Sequence, residues 1–111
     1  MTLISQSTFA GLREMSGDEL INELIDAFLE DAPKMVAGMQ AGLDARDVDV
    51  FRRNAHSLKS NADTFGATDL AALARELEVM GRSSDLNVGN RLDTLRDALR
   101  EVSDELKRMR I

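Results

Sequence analysis

Val88, Leu92, Leu95, Leu99, Val102, Leu106 and Met109 recur at alternating spacings of four and three residues, giving one apolar seam over about three heptads. A chain with such a seam must bury it against other helices. The rest of the sequence supplies them. Phe9, Leu12 and Met15 predict a short opening helix, which Gly11 weakens and Ser16-Gly17 ends. Ser16-Gly17-Asp18-Glu19 has the Ser-x-x-Glu form of a capping box, so a helix is expected from Asp18. Ile21, Leu24, Ile25, Phe28, Ala32, Met35, Met39 and Leu43 carry its apolar stripe past the chain's only proline. Pro33 lacks an N–H and disfavours helical geometry at Ala32, which predicts a kink, or a break with a restart capped by Asp31.

Asp44-Ala45-Arg46-Asp47 is read as a turn, with Asp47 as N-cap of a helix from about Val48 to Thr64. Gly66 ends that helix by permitting a left-handed backbone. Leu70, Leu73, Ala74, Leu77 and Met80 mark the next helix, closed by Gly81, and Arg82-Ser83-Ser84-Asp85 is read as a loop. Short connections between long helices favour antiparallel neighbours. The expected fold is all-α: a single domain over 1–111, an antiparallel up-down-up-down four-helix bundle with an additional short N-terminal helix. The heptad seam could also join two chains, but a helix of about 22 residues is about 33 Å long, which suits one edge of a monomer.

Composition narrows the function classes. The 111 residues include no cysteine, so disulfides, thiol chemistry and thiolate metal sites are excluded. Only four residues are aromatic, all Phe, and the core must come from Leu, Met, Ala, Val and Ile, which favours helices. Twenty acidic against fourteen basic residues give a net charge of −6, a surface that repels nucleic acid. No apolar run approaches the ~20 residues that cross a bilayer, and Met1-Thr2-Leu3-Ile4-Ser5 lacks a charged leader region, so no membrane association and a cytoplasmic location are expected. Six methionines are read as core filler. Asp18-Glu19, Glu30-Asp31 and Asp104-Glu105 are read as caps or solvated faces. No Glu-x-x-His or His-x-x-x-His pair offers a metal site, and no phosphate-binding loop points to ATP.

The chain's only histidine stands on an outward face. Phe51, Ala55, Leu58, Ala62 and Phe65 form the core stripe of the 48–64 helix, and His56 points about 130° away from it. Arg52, Lys59, Ser60 and Asp63 lie at −4, +3, +4 and +7, and so share its face. Arg52, Arg53 and Lys59 make a small basic spot that fits one phosphoryl group better than an extended polyanion. A neutral imidazole is among the few side chains that are nucleophilic near neutral pH.

Ala55-His56-Ser57-Leu58-Lys59-Ser60-Asn61, followed by Phe65-Gly66-Ala67, resembles the phosphorylation motif of histidine-containing phosphotransfer (HPt) domains. The resemblance implies a helical bundle whose histidine accepts a phosphoryl group from an aspartate of one response-regulator receiver domain and donates it to another. It implies His56 as phosphoacceptor at Nε2 and Lys59 as stabiliser of phosphoryl charge. It makes Ser60 the small residue that leaves room for approach, a position where the family often has Gly. Antiparallel geometry places residues near Glu76 to Glu78 level with His56, and the family's Gln or Glu at that location aligns best with Glu78, as orienter of the imidazole. Arg52, Arg53, Ser57 and Asp63 are expected to contact the partner. The resemblance further implies no autonomous enzyme activity, no cofactor of its own and magnesium supplied by the receiver, with receiver domains and a hybrid histidine kinase as partners. Two other readings remain open: a binding module for receivers that is never phosphorylated, and the phosphoacceptor domain of a histidine kinase.

Overall fold

The computed structural model describes residues 3–111, so Met1 and Thr2, and with them the start of the 1–5 leader reading, lie outside it. Five helices account for its regular structure: α1 (Gln6–Ser16), α2 (Asp18–Ala45), α3 (Val48–Thr64), α4 (Thr68–Arg82) and α5 (Arg91–Met109). No strand occurs among the described residues. Each of α2 to α5 packs on the next, α5 closes back onto α2, and α1 lies against α2. This is the four-helix bundle with a short N-terminal addition. At 1.5 Å per residue α2 alone spans about 42 Å, and it sets the long axis of a 41 × 25 × 20 Å molecule.

The core follows from the stripes. Ile21, Ile25, Phe28, Ala32, Val36 and Met39 of α2 meet Phe51, Ala55, Leu58 and Ala62 of α3, with Leu70, Ala74 and Leu77 of α4 and the α5 seam completing the interior. Phe28 and Phe65 stack edge to face with centroids 5.4 Å apart. Ile4, ahead of α1, is also buried, and the Ser5 amide donates to the Gly66 carbonyl at 2.8 Å, tying the chain start to the α3–α4 turn. Gly66 makes that turn with φ of +76°, a conformation side-chain-bearing residues rarely adopt. At the other end Arg110 grips Asp26 through two hydrogen bonds of 2.8 Å, and the Ile111 backbone exchanges a pair with the Asn22 side chain.

Several local expectations need correction. Pro33 neither breaks nor restarts the helix; α2 is continuous for 28 residues. The proline ring is on the outer side, lining a shallow α2–α5 groove, while Ala32 and Val36 on either side of it are fully packed. Burial of both halves of one stripe outweighs a single lost hydrogen bond. Ser16 is not a cap, because α1 extends through it; Gly17 precedes α2 with φ of +81° and no side-chain cap bond. Asp18 instead accepts from Arg13 at 3.0 Å. Met15, expected on the core face, is 88% exposed.

The α2–α3 turn shrinks to Arg46-Asp47, with Arg46 in the left-handed region donating back to α2. Asp47 caps α3 by accepting from the Val50 amide at 3.2 Å. The α5 helix begins at Arg91, so Val88 belongs to the preceding loop, although it remains buried. Gly81 does not close α4, which runs on to Arg82. That last difference matters for the site.

Candidate functional site

The α3 register that buries Phe51, Ala55, Leu58 and Ala62 turns His56 outward, with its side chain 52% exposed. The α4 register does the opposite to Glu78, whose side chain is only 2% exposed. The two meet across the hairpin: His56 Nδ1 lies 2.8 Å from Glu78 Oε2. Two cations share this carboxylate. Arg82 Nη2, one turn along α4, donates to the same Oε2 at 2.9 Å. Lys59 Nζ lies 3.1 Å from Oε1. Glu78 is thus a buried anion with three donors around it.

Such a charge is tolerated only when it is fully partnered. Burial alone would raise the Glu78 carboxyl, but the hydrogen bonds from His56 and Lys59, with the charges of Lys59 and Arg82, outweigh it and hold the group below the ordinary glutamate range. An ionised carboxylate can only accept. The proton facing Glu78 must therefore sit on Nδ1, and the neutral ring presents the lone pair of Nε2 on its other side. The chemical consequence is a nucleophilic nitrogen at the surface, held in one tautomer by a buried anion.

The remaining predicted residues divide into groups. Ser60 is exposed one turn beyond His56, and its short side chain leaves the approach open. Lys59 is not free in solvent as the face pattern alone implied; it is drawn down onto Glu78 and only 23% exposed. Arg52 stands one turn before His56, half-buried, with Asp49 Oδ1 at 3.9 Å. Its backbone is pressed against Gly81, where an added Cβ would come within 3.1 Å of Arg52 Cβ. Asp63 lies beyond Lys59 and, with Arg75, lines a shallow recess of the α3–α4 face. Arg53 and Ser57 sit round the helix in a different recess with Val50 and Asn54, away from the Glu78 cluster.

The sequence pattern does not single out Arg82, because Gly81 predicts the end of the helix that in fact runs on through Arg82. The signal was the Glu78/Arg82 spacing of four, which pairs opposite charges only if the helix continues. Glu76, the other acidic candidate, turns outward and binds Arg91 at 2.7 Å. Among the described residues no three His, Cys, Asp or Glu side chains converge as a metal-ligand set, and no helix is long and apolar enough to cross a membrane.

Comparison with known proteins points one way. The model of the Hpt domain family matches residues 23–109. The crystal structure of histidine-containing phosphotransfer protein B from Pseudomonas aeruginosa PAO1 is similar with a TM-score of 0.91 at 28% identity, over 97% of this chain and 94% of that one. No curated protein sequence matches the chain.

Proposed function

This chain belongs to the Hpt domain family, and we propose that it carries a phosphoryl group on His56 between aspartates of receiver domains in a two-component phosphorelay. The observation that carries the reading is the exposed imidazole whose Nδ1 is held by a buried carboxylate at 2.8 Å. Nε2 attacks the phosphorus of a receiver's aspartyl phosphate in line; the N–P bond forms as the P–O bond breaks, and the bonding pair leaves on the aspartate carboxylate. The ring retains its Nδ1 proton and so gains positive charge. Glu78 offsets that charge from the buried side.

Phosphoryl transfer has a loose transition state, so positioning and charge stabilisation are the main requirements. Lys59, a single flexible stem away, moves from Glu78 Oε1 toward the equatorial oxygens as negative charge arrives. Ser60 keeps the in-line path clear. Arg52 and Asp63 border the docking surface, with Arg53 and Ser57 at its margin. Magnesium comes with the receiver, and the protein itself acts as a relay intermediate, not as an enzyme with its own turnover. In this reading the monomer meets its partners in the cytoplasm, with a hybrid kinase's receiver as donor.

Incubation with a phosphorylated receiver should label the chain with acid-labile, base-stable phosphate. His56→Gln should abolish the label, and label retained in that variant overturns the assignment. Lys59→Ala should slow transfer by about a hundredfold, the lower end of the loss seen when one stabilising donor is removed, while leaving the far-ultraviolet helix signal intact. An unchanged rate removes Lys59 from the mechanism. ATP with candidate kinases, without a receiver, should leave the chain unlabelled; direct labelling would make it a kinase phosphoacceptor instead.

A further inference from the structure

His56 and Arg82 compete for one oxygen. Glu78 Oε2 accepts from His56 Nδ1 at 2.8 Å and from Arg82 Nη2 at 2.9 Å, while Oε1 takes Lys59. The charge available on Oε2 to stabilise a cationic ring is therefore reduced by the guanidinium bound to it. Lys59 serves the other oxygen and is the cation assigned to the phosphoryl group. Arg82 meets the same carboxylate oxygen that faces Nδ1, and its own side chain is 60% exposed.

We propose that Arg82 is a positioning residue that sets the transfer equilibrium: by sharing Glu78 Oε2 it weakens the carboxylate's hold on the imidazole, keeping the phosphohistidine less stable and so ready to give up its group. The proposal rests on the reading that His56 is the phosphoacceptor. Its physical content is a balance. A ring facing an unshared carboxylate is a stronger nucleophile and, once phosphorylated, a poorer leaving group, because the charge it carries is better neutralised. A ring facing a shared carboxylate is poised nearer the middle, which a carrier that both accepts and donates requires.

Two measurements on the full chain test it. Proton and nitrogen resonances of the His56 ring, recorded with the ring neutral, should show the Nδ1 proton moving downfield in Arg82→Gln, as its hydrogen bond to Glu78 strengthens, and staying near the native position in Arg82→Lys. The equilibrium ratio of phosphohistidine to receiver phosphoaspartate should rise roughly two- to fivefold in Arg82→Gln, a modest change because the guanidinium itself stands largely in solvent. In a Glu78→Gln background the Arg82 substitution should change neither quantity. An unmoved Nδ1 proton in Arg82→Gln, a fall in the ratio, or an equal effect without the Glu78 carboxylate overturns the proposal. If the unaltered protein takes no phosphoryl group on His56, the functional reading itself fails, whereas the resonance shift still decides whether Arg82 governs the carboxylate–imidazole bond.

Discussion

Glu78 is the residue whose surroundings most constrain the site, since a glutamate nearly sealed from water exists as an anion here only through His56, Lys59 and Arg82. Its carboxyl is held below the ordinary range, which means the folded state prefers the ionised form more than the unfolded chain does. The stability this contributes is complete above the ordinary glutamate value of about 4.3 and is lost as pH falls through the lower folded value. Urea unfolding at neutral and at acid pH should thus show a steeper loss for the native protein than for Glu78→Gln; parallel losses would mean that another carboxylate governs acid sensitivity. The outward turn of His56 was legible because five apolar positions fix the rotation of α3. The burial of Glu78 was not, since Glu76 and Glu78 are level with His56 in any antiparallel hairpin and only the rotation of α4 separates them. Arg82 was hidden by one glycine read as a stop.

Among the elements, α2 and α3 approach so closely that a Cβ on Gly42 would lie 2.7 Å from the Phe51 backbone nitrogen. Gly11, in the middle of α1, has nothing within 4 Å of the same position. The same substitution should act with opposite sign at the two sites. Gly11→Ala should stabilise by about 0.5–1 kcal/mol through helix propensity. Gly42→Ala should destabilise by about 1–3 kcal/mol, because backbone cannot move aside as a flexible side chain can. Urea midpoints of both variants check this, and a stabilised Gly42→Ala would show that the helices separate freely. Caps and stripes were readable from single residues, as Asp47 demonstrates. Pro33 and Val88 were not, because their outcome depends on what packs against them: a stripe buried on both sides of the proline carries α2 through, and a loop residue can fill a seam position without being helical.

At the level of the whole molecule, the bundle is closed by contacts distant in sequence, with α5 joined to α2 through Arg110–Asp26 and the chain start joined to the α3–α4 turn through Ser5 and Ile4. Ile4→Ala should cost about 2–4 kcal/mol in urea unfolding, the usual range for emptying a buried isoleucine site, and an unchanged midpoint would show that this segment is dispensable to the fold. The helical periodicities and short connections were enough to read the architecture; the tethering of both ends was not, because no periodicity records a bond between residues 22 and 111. The imidazole, its carboxylate and both attendant cations all hang from α3 and α4, two helices joined by a single tight turn. Fraying of either outer helix would therefore loosen the walls of the house while leaving the lock aligned with its keyhole.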